Sequence, residues 1–278
     1  MHRVITAFWR PALSAAAVIA VIGLAPAPSA AALPAPNGPY VALGDSVAAG
    51  IGLSGQEDAL CDRTLDAYPR RIAAALNTNV INLACSGAKV DEGMYGEQER
   101  NGYDITPQID QAFAFGTPAL MTITIGANDM RWAGYIRDCY TWRCGSALDR
   151  GLTRAYALDL RLELHKMFNR IETLSNGAPP RVLISGYYFP FSSTSCGESE
   201  GITSTEMSWL RSQTSRLNST ISRSVSGRSY ATYVPINFRG HELCSGDPWV
   251  QGSRDAQPFH PTATGQQAIA DAFLRIRR

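Results

Sequence analysis

The sequence predicts a doubly wound α/β fold, a three-layer α/β/α sandwich built on a five-stranded parallel sheet. Five short runs carry the first observation: "PYVALG" (39–44), "NVINLAC" (79–85), "LMTITIG" (120–126), "RVLISGYY" (181–188) and "YATYVPIN" (230–237). They are rich in β-branched residues and apolar on both faces, as strands covered on either side must be. The second observation is that segments of helical period separate these runs. Strand and helix in strict alternation imply parallel crossovers and helices on both faces of the sheet. No linker or repeat divides the chain after its N-terminal segment, so residues 33–278 are expected to form a single domain.

Taken in order, the first strand ends in Gly44-Asp45-Ser46, where the chain turns polar and glycine-rich. "AYPRRIAAALN" (67–77) is the first helix and "TPQIDQAFAFG" (106–116) the second. The segment 146–175 is the longest, and Leu160, Leu164, Met167, Phe168, Ile171 and Leu174 give it an apolar stripe of helical period. Gly177, Pro179 and Pro180 stop it sharply. Helices over 204–222 and 262–278 complete the set.

The first 32 residues stand apart. Arg3 and Arg10 precede the apolar run "PALSAAAVIAVIGL", and "APAPSAAALPAP" supplies small residues of the A-x-A kind. This is the order of a secretory signal peptide, with cleavage after Ala30 or Ala32. The run is shorter than the roughly 20 residues of a spanning helix, so the mature protein is expected to be secreted, without stable membrane insertion. Net charge is +1, from 25 basic and 24 acidic residues. That balance gives no electrostatic reason to expect a nucleic-acid partner. The expected partner is a small molecule, and the expected state a monomer.

All six cysteines (Cys61, Cys85, Cys139, Cys144, Cys196, Cys244) follow the signal segment. An even count in an exported chain implies disulfides, and six cysteines permit fifteen pairings. Successive pairing, Cys61–Cys85, Cys139–Cys144 and Cys196–Cys244, is the simplest. A metal site is disfavoured, because there is no C-x-x-C pair and only His241 lies close in sequence to a thiol.

In a doubly wound sheet ligands sit beyond the carboxyl ends of the strands. Three of those ends carry chemistry: Gly44-Asp45-Ser46, Cys85-Ser86-Gly87 and Gly126-Ala127-Asn128-Asp129. A hydroxyl, a glycine amide and an asparagine amide on one rim are the parts of an acyl-transfer site. Ser46 is the candidate nucleophile. The backbone N–H groups of Ser46 and Gly87, with the Asn128 side chain, are candidate oxyanion donors. Of the histidines after the signal segment, His165 lies inside the long helix and His241 beside a cysteine. His260 lies in a loop after the fifth strand, stiffened by Pro261, where a base can reach Ser46.

With these blocks in order, Gly44-Asp45-Ser46, Gly87, Gly126-x-Asn128-Asp129 and His260-Pro261, the chain resembles the SGNH, or GDSL, hydrolases. The resemblance runs from Val41 to the last helix. It implies a flavodoxin-like fold and serine esterase or lipase activity without metal or cofactor. It assigns Ser46 as nucleophile, Gly87 and Asn128 to the oxyanion hole, and His260 as base. The cysteines resemble those of secreted actinobacterial lipases of the family, in which successive pairing is the rule. The G-x-S-x-G elbow of α/β-hydrolases is not met, since position 48 is Ala.

The sequence departs from the family at one place. Members usually carry Asp three residues before the histidine, and here that residue is Gln257. Three arrangements are open. A main-chain carbonyl near Pro258 holds the ring in a Ser–His dyad, Asp255 folds back as third member, or the site is impaired. The aromatic run Tyr187-Tyr188-Phe189-Pro190-Phe191, with Trp249 and Phe259, is expected to wall an acyl site. The expected substrate is thus a small-molecule or lipid ester, with phospholipase A activity in range. The alternatives are a carbohydrate O-acetyl esterase of the same fold and a catalytically silent exported binding protein.

Overall fold

Strand β1 (Tyr40–Gly44) is buried along its whole length and runs straight into the short helix α1 (Ser46–Ala49). A small hairpin follows, β2 (Gln56–Asp58) with β3 (Arg63–Thr64), then α2 (Tyr68–Ala75) and β4 (Val80–Asn82). A second hairpin, β5 (Gln98–Arg100) with β6 (Tyr103–Ile105), precedes α3 (Gln108–Phe113) and β7 (Leu120–Thr124). Next come α4 (Trp132–Thr141), α5 (Ala147–Leu174), β8 (Arg181–Ser185), α6 (Ser204–Ser224), β9 (Ala231–Val234) and α7 (Ala263–Leu274). The computed structural model describes residues 1–2, 33–114, 116–192, 196–199 and 201–276. The chain divides into two units, Met1–Ala30 and Ala31–Arg278, and every element named here belongs to the second. The expected signal peptide lies, but for its first two residues, outside the described residues. Among the described residues no helix is long and apolar enough to cross a membrane.

The main sheet has five strands in the order β4-β1-β7-β8-β9, all parallel. This is the flavodoxin-type order, with its topological switch point between β1 and β7. The crossover from β1 to β4 runs one way and all later ones run the other. Right-handed crossovers therefore place α2 on one face and α3, α5 and α6 on the opposite one. The packing agrees: α2 lies against α7, and α5 against both α3 and α6. On the first face Tyr68 stacks on Phe273, ring centroids 5.1 Å apart. On the second, the stripe Leu160, Leu164, Met167, Phe168 and Ile171 of α5 is fully buried on the sheet, and Leu174 is half-buried.

Strands and helices fall where the sequence puts them, with ends trimmed by a few residues. The stretch 79–85 forms a ladder only over Val80–Asn82, yet the N–H groups of Leu83 and Cys85 still reach the carbonyls of Ala42 and Gly44, at 2.8 and 2.9 Å. The sequence reading missed α4. Its apolar residues Trp132, Tyr135, Ile136, Cys139 and Tyr140 do have helical spacing, and that was the available signal. The hairpins were also missed, for the opposite reason: β2, β3 and β5 are polar, and β6, Tyr-Asp-Ile, is too short for its alternation to register.

Candidate active site

The site grows out of the carboxyl ends of β1, β4 and β7. β1 and β7 pair in register up to Gly44↔Thr124, and the Asp45 N–H donates to the Thr124 carbonyl at 3.0 Å. Gly44 has φ 142°, and a Cβ there would run into that same carbonyl oxygen. Only glycine fits so close a strand approach. The chain then turns. The buried Asp45 caps α1 by accepting from the Val47 N–H at 3.0 Å, which leaves Ser46 half-buried on the rim.

On β4's side the Cys85–Gly44 hydrogen bond sets the register, so Gly87 and Ser46 each lie two residues past it. The Cys61–Cys85 disulfide ties this turn to the first hairpin's loop. Gly87 has φ 82°, a conformation that side chains resist, and it is exposed. Among the described residues, the N–H groups of Ser46 and Gly87 donate to no protein acceptor. Asn128, four residues past the end of β7, donates from Nδ2 to the Ala88 carbonyl at 2.9 Å. That bond holds its amide beside the Gly87 turn, and among the described residues the second N–H has no protein acceptor.

His260 completes the constellation. Its Nε2 lies 2.8 Å from the Ser46 Oγ, and its Nδ1 lies 3.2 Å from the Pro258 carbonyl oxygen. With Nδ1 protonated, the ring donates to Pro258 and accepts the Ser46 proton. Asp255 does not reach this ring. Its carboxylate is exposed and accepts instead from the Gly252 N–H at 2.7 Å. The Gln257 side chain is also turned away from the ring and packs over Gly52, while the Gln257 carbonyl accepts from the His260 backbone N–H at 3.3 Å. The group within hydrogen-bond reach of Nδ1 is therefore a main-chain carbonyl, that of Pro258. Asp255→Ala is expected to keep kcat within about twofold of the parent, as for a surface change away from the reacting atoms. A drop of tenfold or more in ester hydrolysis would return Asp255 to the site.

The loop carrying His260 is held under local strain. Phe259 has φ 67°, which costs a bulky residue on the order of 1–3 kcal/mol. Three bonds offset that cost: the Tyr188 hydroxyl donates to the Phe259 carbonyl at 2.7 Å, the Phe259 N–H donates to the Gln251 carbonyl at 3.0 Å, and the Gln251 N–H donates to the His260 carbonyl at 2.8 Å. Tyr188 is anchored in turn by stacking on Phe238, centroids 4.4 Å apart.

Burial dominates the electrostatics. It pushes the His260 pKa below its ordinary value, and the hydrogen bonds to the Pro258 and Gln257 backbone only partly offset the shift. Burial raises the Asp45 carboxyl to about 7, against the hydrogen bonds from Tyr187 and Val47. Burial likewise raises Asp129 to about 6, although its carboxylate accepts from the Val90 N–H. The Asp45–Tyr187 pair was not foreseen from sequence. The Tyr187 hydroxyl donates to Asp45 and accepts from the Ala127 N–H, cross-bracing the turns after β1 and β7.

Ser46, Asn128 and His260 open into a cavity of about 320 Å³. Its walls are largely apolar, and α4 supplies Trp132, Ala133, Ile136, Arg137 and Tyr140. From the aromatic run only Tyr187, Tyr188 and Pro190 line it, joined by Phe259. The expectation of a longer wall is corrected at three residues. Phe191 is buried in a second core cluster, Phe189 lies under Arg211, and Trp249 stacks on His241 with centroids 3.7 Å apart. His165 bonds Arg228 on the surface of α5, and His241 bonds the Asp247 carbonyl, so neither enters the site. The remaining cysteines pair as Cys139–Cys144 and Cys196–Cys244.

The chain has relatives of known name. Residues 42–268 match the GDSL-like Lipase/Acylhydrolase family. Lipase 1 of Streptomyces coelicolor is 32% identical over 248 residues, covering 85% of each chain. The crystal structure of an extracellular lipase from Streptomyces rimosus superposes with a TM-score of 0.67 at 26% identity, over 84% of this chain and 99% of that one. A phospholipase A1 from Streptomyces albidoflavus gives the same TM-score of 0.67 at 27% identity, over 84% and 97%. Among carbohydrate esterases, one from Corynascus is similar at 17% identity and a TM-score of 0.50, a likeness of fold alone. With a match across most of its length and a relative above 30% identity, the chain belongs to the GDSL-like lipase and acylhydrolase family and is a carboxylic ester hydrolase.

Proposed function

We propose that the protein is an exported serine esterase that hydrolyses fatty-acyl esters, glycerolipids among them, through an acyl-enzyme on Ser46. The observation that carries this reading is the 2.8 Å contact between Ser46 Oγ and His260 Nε2 at the mouth of a largely apolar cavity. Ser46 Oγ attacks the ester carbonyl carbon while Nε2 takes its proton. Negative charge develops on the carbonyl oxygen, and the free N–H groups of Ser46, Gly87 and Asn128 receive it. As the intermediate collapses, the Nε2 proton goes to the departing alkoxide oxygen. Water then enters, Nε2 takes its proton, and its oxygen attacks the acyl carbon. Collapse of this second intermediate breaks the bond to Ser46 Oγ, which regains its proton as the carboxylic acid leaves.

Among the described residues no carboxylate contacts His260, and the dipole of the Pro258 carbonyl stabilises the imidazolium formed in each half-reaction. Neutral His260 is the active form, and protonation as pH falls removes the base. Burial lowers its pKa, so activity should persist further into acid than an exposed histidine would allow. The expected kcat/KM profile for a soluble ester is flat above neutrality and falls with a midpoint below about 6.5. A midpoint above neutrality would count against His260. Measuring the profile in Asp45→Asn as well separates the titration of Asp45 from that of His260.

Export is supported by the order of residues 1–32, by three disulfides, and by the extracellular source of the Streptomyces rimosus relative. The acyl specificity is tested with p-nitrophenyl esters from acetate to palmitate. An apolar cavity of this size favours acyl chains longer than acetyl. An optimum at acetate would favour a carbohydrate O-acetyl esterase. No turnover on any ester would favour the catalytically silent binding protein.

A further inference from the structure

Away from the cavity, a groove of about 480 Å³ runs between α5 and α6. Arg154 and Arg161 line it from α5, and Arg216 and Arg223 from α6. Each pair is spaced seven residues apart, two helical turns, so each presents its guanidiniums along one face. Among the described residues none of the four forms a salt bridge, and the groove is lined by no acidic residue. The Nε of Arg216 is buried without a hydrogen-bond partner.

The same helix exposes leucine. Leu148, Leu158 and Leu162 are 70%, 64% and 62% exposed, although a helix packed on a sheet normally turns such residues inward. Between residues 147 and 165, the arc within about 60° of Leu158 holds Ala147, Gly151, Arg154, Ala155, Arg161, Leu162 and His165, with no acid, and the acid that follows on that arc, Glu172, is paired with Arg228. Asp149, Asp159 and Glu163 all fall on other faces. Trp142, 86% exposed, sits in the loop closed by Cys139–Cys144, between cavity-lining α4 and α5. Exposed leucines interleaved with unpaired arginines, flanked by an exposed tryptophan, are what a helix needs to lie in the headgroup region of an anionic membrane.

We propose that the outer face of α5, with the arginine groove beside it, is the surface by which the enzyme sits on an anionic phospholipid bilayer. The arginines meet lipid phosphates, and the leucines enter the acyl boundary. A groove for soluble anions would explain the arginines but not the leucines, and an apolar protein-binding face would explain the leucines but not four unpaired cations. The proposal deepens the lipid-ester reading and rests on it for its purpose.

The test is co-sedimentation with vesicles of ether-linked phospholipids, which have no acyl ester to hydrolyse. The parent protein is expected to bind vesicles rich in phosphatidylglycerol, to bind phosphatidylcholine weakly, and to dissociate in high salt. Arg154→Gln with Arg161→Gln should lower the partition coefficient about thirtyfold. Leu158→Ser with Leu162→Ser should lower it about tenfold. All of these residues are outside the catalytic cavity, so hydrolysis of p-nitrophenyl butyrate should stay within about twofold in both variants, which also shows that they fold. Failure of the parent to bind anionic vesicles, or undiminished binding by the arginine variant, would overturn the proposal. So would binding that the leucine variant retains in full, since the groove would then serve soluble anions. Vesicle binding without butyrate hydrolysis by the parent would uphold the surface while sinking the ester-hydrolase reading.

Discussion

Ser46→Ala and His260→Ala are each expected to lower kcat for p-nitrophenyl esters by about 10⁶-fold, and the double variant should be no worse than either. The reason is the single proton path between them. Ser46 Oγ is a poor nucleophile until Nε2, 2.8 Å away, takes its proton, and Nε2 has nothing to receive when the hydroxyl is gone. Two residues that perform one step cannot lose their contributions twice. The measurement is single-turnover and steady-state kinetics on all three variants, with a fluorophosphonate label to mark the nucleophile. Neither substitution removes a core side chain, since both residues are half-buried on the rim. Losses that multiply in the double variant, or a label that lands on another serine, would break the assignment.

Asn128→Ala should lower kcat by about 10²–10³ with little change in KM, because an oxyanion donor acts on charge that exists only in the transition state. The Asn128 amide is pinned through one N–H by the Ala88 carbonyl, at 2.9 Å. Its second N–H is thereby aimed before substrate arrives, so little reorganisation opposes its use. Exchange with Asp is the sharper comparison: it keeps the size and places an acceptor where a donor is needed. A loss of less than about threefold in Asn128→Ala would remove the residue from the hole.

Much of this site was legible in the chain because strand ends are a local property. Gly44-Asp45-Ser46, Ser86-Gly87 and Ala127-Asn128 each follow an apolar run, and parallel pairing then brings all three to one rim whatever the loops do. His260 was legible for a different reason: it is the histidine that follows the last strand without lying in a helix or beside a cysteine. The cavity wall was not. α4 has the apolar spacing of a helix, but ten residues after a glycine turn without a capping residue give a weak signal. Phe189, Phe191 and Trp249 look like wall residues in sequence. They are turned elsewhere by contacts with Arg211, the second core cluster and His241.

The sequence alone determined the doubly wound sheet and which residue types meet at its carboxyl rim, because burial period and strand–helix alternation are written locally. Which group lies against the Nδ1 of His260 became visible only in the tertiary structure. Asp255, Gln257 and the Pro258 carbonyl lie within five residues of the ring, and no pattern ranks them. The choice depends on the backbone path of one loop: the left-handed Phe259 and its anchors at Tyr188 and Gln251 turn the Pro258 carbonyl toward Nδ1 and leave Asp255 bonded to Gly252 in solvent.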